Sequence, residues 1–124
     1  MDEIIERYNS KARIHITGFV DDEDVAVIYK NAMCFVFPSL YEGFGLPPVE
    51  ALTLGTPVIA SDAASIPEIL MDSAVYFHSD MQDELIKYLC ELDEKMESFP
   101  RKLNNFQREN YSFQKSAEKV LQLL

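Results

Sequence analysis

Short runs that are apolar at every position alternate along this chain with longer segments whose apolar residues recur at every third or fourth position. The first pattern is that of strands buried on both faces, the second that of helices with one buried face. After an opening amphipathic segment carrying Ile4, Ile5 and Tyr8, a short strand is expected from Arg13 to Thr17. Asp21 or Asp22 can cap a helix running to about Asn31, with Val25, Ile28 and Tyr29 on one face. Met33-Cys34-Phe35-Val36-Phe37 follows as a second strand. Pro47 and Pro48 suit the first turn of the next helix, and Gly55 its exit. Pro57-Val58-Ile59-Ala60 reads as the third strand, Ser65-Ile66-Pro67-Glu68 as a capping box opening a short helix, and Ala74-Val75-Tyr76-Phe77 as the fourth strand. Ser79 or Asp80 then caps a long helix whose inner stripe is Leu85, Leu89, Leu92 and Met96. Pro100 interrupts that helix, and a further segment runs past Phe106. A last helix places Phe113, Ala117, Val120, Leu121 and Leu124 on one face, either as core packing or as an apolar stripe meant for another domain.

Strands that alternate with helices imply right-handed crossovers, hence an α/β fold with a Rossmann-like parallel sheet flanked by helices. Such sheets bind ligands beyond the carboxyl ends of their strands. Those ends are Thr17-Gly18-Phe19-Val20, Pro38 through Gly45, and Ser61-Asp62-Ala63-Ala64. A chain of 124 residues is one domain with one core, here spanning residues 1–124. The pattern opens on a helix and yields only four strands, so the domain is expected to be partial, its sheet lacking its first members.

Composition narrows the partners. A formal net charge of −10 argues against nucleic acid and against an anionic membrane surface, since both reward positive charge. No apolar run nears the roughly 20 residues of a membrane span, and the acidic start Met1-Asp2-Glu3 is unlike a secretion signal. A cytoplasmic location is therefore expected, with any membrane contact peripheral and made through something outside this chain. Cys34 in an apolar strand and Cys90 in a helix are expected as buried free thiols rather than a disulfide. His15 and His78 sit at or beside strands without Cys or carboxylate partners at ligand spacing, so no metal site is read there, and His15 is expected to pack as a strand residue. Glu68 reads as the acid of the capping box, and Glu91-Leu92-Asp93-Glu94 as a solvated helix face.

The chemistry concentrates in Pro38-Ser39-Leu40-Tyr41-Glu42-Gly43-Phe44-Gly45-Leu46-Pro47-Pro48-Val49-Glu50. Here a strand passes to a helix through a glycine-rich turn with a carboxylate on either side. Glycine allows bare backbone to approach a ligand, and the amides of Gly43 through Leu46 would form a donor nest for oxygens. The two acids would repel phosphate but suit hydroxyl groups. Separately, Glu42 could be a solvated loop acid and Glu50 a first-turn acid complementing the helix dipole. Together they point to a ligand carrying both phosphate and hydroxyls, a sugar nucleotide. Phe44 could close the pocket or pack against the sheet. Ser39 has no Gly-x-Ser-x-Gly setting, so it is not read as a hydrolase nucleophile.

The stretch from Glu42 to Glu50 resembles the E-x7-E signature of retaining glycosyltransferases of the GT-B fold, family four. Ile16 through Val20, Tyr29-Lys30-Asn31-Ala32, Phe35 through Ser39, Gly55 through Ser61 and Ile66-Pro67-Glu68-Ile69 resemble the family in order and spacing, so the likeness covers nearly the whole chain. It implies the C-terminal, donor-binding half of a GT-B enzyme that transfers a hexose with retention in polysaccharide or glycoconjugate synthesis. Glu42 would be the catalytic group, accepting hydrogen bonds from the donor hexose and steadying charge at its anomeric carbon. Glu50 would bind the ribose. Gly43, Phe44, Gly45 and Leu46 would present backbone groups to sugar and diphosphate, with Ser39 among the substrate-binding residues and Val20 near the base. The donor would be a UDP- or GDP-sugar, and no metal is expected, because cationic side chains and a helix N-terminus take its place.

The family's diphosphate-holding Arg and Lys lie upstream of the stretch matched here, and Lys11 and Arg13 are too close to the strand at Ile14 to replace them. The acceptor-binding N-terminal domain is expected as a missing partner, and the chain alone as inactive. A non-catalytic module that completes its sheet with another chain is the alternative, and unpaired sheet edges would also favour self-association. A GT-B epimerase would share the fold.

Overall fold

The computed structural model describes residues 15–111. Three strands, β1 (Phe35–Phe37), β2 (Val58–Ser61) and β3 (Val75–Phe77), form a parallel sheet in the order β1-β2-β3. Phe35 pairs with Val58 across the first ladder and Ile59 with Val75 across the second. Helix α1 (Asp22–Asn31) precedes the sheet, α2 (Leu46–Thr53) links β1 to β2, and α3 (Ile66–Leu70) with a 3₁₀ turn (Met71–Ser73) links β2 to β3. After β3 come α4 (Gln82–Cys90), α5 (Leu92–Lys95), a second 3₁₀ turn (Met96–Ser98) and α6 (Asn105–Asn110).

The central strand organises the core. All four residues of β2 are buried, and the pleat sends alternate side chains to opposite faces. Val58 and Ala60 enter one apolar cluster with Ala51 and Leu52 of α2 and Ile66, Ile69 and Leu70 of α3. Ile59 enters the other, with Phe77, Leu92 and Phe99. Each face is thus covered, as the apolar run Val58-Ile59-Ala60 requires.

Several expectations change. His15, Ile16 and Thr17 carry no strand and His15 is exposed, while Arg13 and Ile14 lie outside the described residues. The sheet therefore has three strands among the described residues rather than four. β1 begins at Phe35, where its N–H donates to the Pro57 carbonyl, and Met33 stays half exposed ahead of it. Among the described residues β1 lies at the edge of the sheet and is half-buried throughout. In α1, Val25 and Tyr29 face inward but Ile28 does not. The expected long helix after β3 starts later, behind Met81, and breaks at Glu91 into α4 and α5. Leu85, Leu92 and Met96 of the expected stripe still pack into one cluster with Ile59, whereas Leu89 is exposed. Cys34 and Cys90 are free thiols, but neither is fully buried: Cys34 is half-buried ahead of β1, and Cys90 is exposed because its stretch of α4 faces solvent. The opening segment with Ile4, Ile5 and Tyr8 and the last helix from Phe113 lie outside the described residues.

The Ser65–Glu68 capping box does not form, since Ser65 makes no side-chain bond to its own helix. The capping box that does form is Asn104 with Gln107. Gln107 is fully buried. Its Oε1 accepts from the Asn104 N–H at 2.8 Å and the Ser73 hydroxyl at 2.6 Å, and its Nε2 donates to the carbonyls of Ile69 at 2.8 Å and Leu70 at 2.9 Å. One amide side chain therefore ties α6 to the exit of α3. At the other end of the sheet, His78 follows β3 with Nδ1 3.0 Å from Glu84 Oε2 and Nε2 3.6 Å from Asp62 Oδ2. Its backbone N–H also donates to Glu84. The hydrogen bond to Glu84, then the charges of Glu84 and Asp62, raise the His78 pKa.

Two outcomes are expected. Gln107→Ala strands three buried partners and should cost on the order of 3 kcal/mol of unfolding free energy, read from the urea midpoint. His78 should titrate by NMR above the ordinary value of 6.5, and Glu84→Gln should bring the midpoint down more than Asp62→Asn. Because the folded value is the raised one, the stabilisation is complete below the unfolded pKa and is lost as pH rises through the folded pKa. Denaturation of wild type and Glu84→Gln should accordingly differ more at pH about 5.5 than at pH about 9.

Candidate functional site

At the carboxyl end of β1 the chain turns through residues 38–45 into α2. Gly45 is the residue before α2 and is left-handed, with φ 68° and ψ 54°. A Cβ there would meet Pro48 and Phe37 at 3.6 and 3.8 Å, ordinary contacts. Backbone conformation rather than space therefore calls for glycine at this point. At Gly43 a Cβ would meet nothing within 4 Å, so the turn borders open space. α2 then opens with Leu46-Pro47-Pro48. The two prolines have no N–H to offer, so the amide donors at this helix start are those of Gly43 through Leu46.

Three serines hold this turn in place. Ser61, fully buried at the end of β2, donates to the Ser39 carbonyl. Ser39 Oγ lies 3.0 Å from Glu42 Oε1 and orients that half-buried carboxylate. Ser65 Oγ lies 2.8 Å from the Glu42 carbonyl and 3.1 Å from that of Gly43. The loops after β1 and β2 are thus joined by hydroxyl-to-carbonyl bonds at the carboxyl edge of the sheet.

Two recesses flank the turn. The larger, of about 960 Å³, lies between α1 and α2 and is walled by Asp22, Tyr29, Val49, Glu50 and Thr53, with Phe44 and Tyr111. The smaller, of about 380 Å³, is walled by Gly43, Ser65, Glu68 and Met71, again with Phe44 and Tyr111. The two aromatic rings meet edge to face, centroids 5.3 Å apart at 80°, and form the wall common to both. The Tyr111 hydroxyl is anchored on the Ile69 carbonyl at 2.9 Å. Burial, and then the Glu50 charge, raise the Tyr29 pKa, and burial and the Glu68 charge do the same for Tyr111.

The expected site residues therefore separate. Glu50 is exposed on the wall of the large recess, Gly43 is on the small one, and Phe44 is on both. Leu46 also lines the large recess, whereas Gly45 is buried behind the turn. Phe44 packs on Tyr111 rather than against the sheet. Glu42 lines neither recess and is turned to Ser39. Val20, half-buried just before α1, lines neither. Glu50 is not a first-turn acid: it is the fifth residue of α2, whose first turn holds no acid, so its distance from the helix start removes the dipole explanation. Among the described residues neither recess is lined by Lys or Arg. Nor do three His, Cys, Asp or Glu side chains among them converge on a metal, since His78 presents opposite ring nitrogens to Asp62 and Glu84.

Ser61, Ser65 and Tyr111 were not legible as site residues. Ser61 closes an apolar strand, Ser65 occupies an ordinary N-cap position, and Tyr111 lies about 60 residues along the chain from Glu50.

Comparison with known proteins places this turn in context. The family Glycosyl transferases group 1 matches residues 1–111. An O-antigen chain mannosyltransferase B of Escherichia coli is 42% identical over 73 residues, 59% of this chain and 19% of that protein. The serotype-specific mannosyltransferase WbdA of Escherichia coli is 39% identical over 95 residues, 76% of this chain and 11% of that protein. The chain thus spans less than a fifth of the length of these relatives. Among solved structures, a sucrose-phosphate synthase from Thermosynechococcus elongatus superposes with a TM-score of 0.81 at 27% identity, over 98% of this chain and 32% of that one. A sequence match running to residue 111 takes in every element that builds the turn and its serine supports, and the chain belongs to the glycosyl transferases group 1 family.

Proposed function

We propose that the chain is the donor-binding domain of a retaining GT-B enzyme of family four, which binds a nucleotide-diphosphate sugar and serves hexose transfer in polysaccharide or glycoconjugate synthesis. The observation that carries this reading is the place of Glu50. Glu50 lines a recess of about 960 Å³ beside the glycine turn, which leaves the sheet at its carboxyl edge, where α/β sheets take their ligands. That volume lies within the roughly 300–1,000 Å³ of small-molecule sites. In this arrangement Glu50 accepts from ribose hydroxyls, while the amides of Gly43, Phe44 and Leu46 face diphosphate and hexose and Gly45 sets the path of the turn. Glu42, pre-oriented by Ser39, accepts from the hexose and stabilises positive charge at its anomeric carbon. Val20 contributes near the base.

A mannose-bearing donor is favoured by the names of the two bacterial relatives, and UDP- and GDP-linked sugars are the carriers to compare. No metal enters this reading. The acceptor is held by a separate N-terminal domain, so the chain alone binds donor without turning it over, in the cytoplasm or at the membrane face. A second reading, a non-catalytic module, is favoured by the lack of Lys or Arg on either recess among the described residues.

Titration calorimetry with UDP-glucose and GDP-mannose separates the two readings. Binding is expected in this chain, or in a longer polypeptide that contains it. Glu50→Ala should weaken it about 10- to 100-fold, the scale of hydrogen bonds to a charged group. Glu42→Gln should weaken the sugar nucleotide more than the bare nucleoside diphosphate. No binding in either form, or affinity unchanged by Glu50→Ala, sinks the enzyme reading.

A further inference from the structure

We propose that Ser65 is a positioning residue of the glycine turn, setting the direction in which its amides face; this rests on the donor-binding reading above. The hydroxyl of Ser65 reaches two successive carbonyls, Glu42 O at 2.8 Å and Gly43 O at 3.1 Å. In a trans peptide the C=O and N–H point to opposite sides. The one hydroxyl hydrogen is shared between the two carbonyls, mainly with the nearer one of Glu42, and with both carbonyls on the Ser65 side the N–H groups of Gly43 and Phe44 face the other way. Among the described residues neither N–H has a backbone acceptor. Successive amides facing one way form a concavity for anionic oxygens, and the diphosphate of the donor is the ligand chemistry such a pair would meet.

Gly43 is the residue at which this direction would otherwise be lost. It has no Cβ, its surroundings are open, and its peptide planes could rotate freely without a partner. The loop bearing Ser65 is held for the purpose. Ser65 occupies an N-cap position yet its side chain makes no bond to its own helix. The neighbouring Ala64 is left-handed at φ 50°, a conformation alanine adopts only when its surroundings impose it. Four residues earlier Ser61 fixes the carbonyl of Ser39, so one loop grips the backbone on both sides of Tyr41.

The test compares ligands with and without phosphate. GDP and guanosine, or UDP and uridine if the uracil pair binds more tightly, are titrated against wild type, Ser65→Ala and Ser65→Thr. Ser65→Ala should weaken the nucleoside diphosphate about 3- to 10-fold, the scale of one neutral hydrogen bond. It should leave the nucleoside unchanged and shift the amide ¹⁵N resonances of Gly43 and Phe44. Ser65→Thr, which keeps the hydroxyl, should restore affinity. Where Ser65→Ala does not fold, Ser65→Cys keeps the volume with only a weak donor and serves the same comparison. Equal losses for both ligands, or no loss for the diphosphate in a wild type that binds it, overturn this inference alone. A wild type that binds neither ligand overturns the donor-binding reading and this inference with it.

Discussion

Closure of β2 from solvent on both faces is the constraint on which the rest of this structure depends. A strand apolar at Val58, Ile59 and Ala60 in succession cannot lie on a surface, so helices must cover each side, and parallel neighbours must be reached by crossovers. Crossovers return the chain to the same edge after each strand. The turn after β1 and the loop after β2 therefore leave the sheet side by side. Their joining by Ser61 and Ser65 follows from the burial of four consecutive residues, Val58 to Ser61. The site is a product of the core rather than an addition to it.

The turn itself is built with backbone. Pro47 and Pro48 start α2 without N–H groups, and Gly45 takes the left-handed conformation that lets the chain enter the helix. What remains for a ligand is a short run of amides, two carboxylates of different surroundings, and apolar walls. Glu42 is held by a neighbouring hydroxyl and Glu50 stands exposed, so two acids eight positions apart along the chain meet different environments. Residues of one chemical type can thereby take different tasks.

Much of this was legible in the sequence, for reasons that differ by element. Val58-Ile59-Ala60 announces itself because burial on two faces leaves no polar position, and Phe35-Val36-Phe37 carries the same apolar run although it is only half-buried. The glycine turn is legible because Gly45 must be left-handed. Other features depend on where the chain meets itself. Nothing local reveals that Ser65 will bond to residues more than twenty positions earlier rather than cap its own helix. Of the stripe Leu85, Leu89, Leu92 and Met96, all but Leu89 join the cluster around Ile59, and Tyr88, one position earlier, packs there while Leu89 is exposed. Asn104-x-x-Gln107 had the form of a capping box in a polar stretch, yet its weight comes from Gln107 being drawn wholly inside to serve Ser73, Ile69 and Leu70.

The edge-to-face pair of Phe44 and Tyr111 has a consequence for how the two recesses relate. A wall with a cavity on each side is a partition, and the room on one side is taken from the other. Tyr111 is tethered by its hydroxyl to Ile69, while Phe44 is carried by the glycine turn, so the two rings of the partition are held by different parts of the chain. An occupant that pushes Phe44 outward from the large recess narrows the small one, and the reverse holds equally. The two spaces are reciprocal, and what fills one sets the size of what the other can admit.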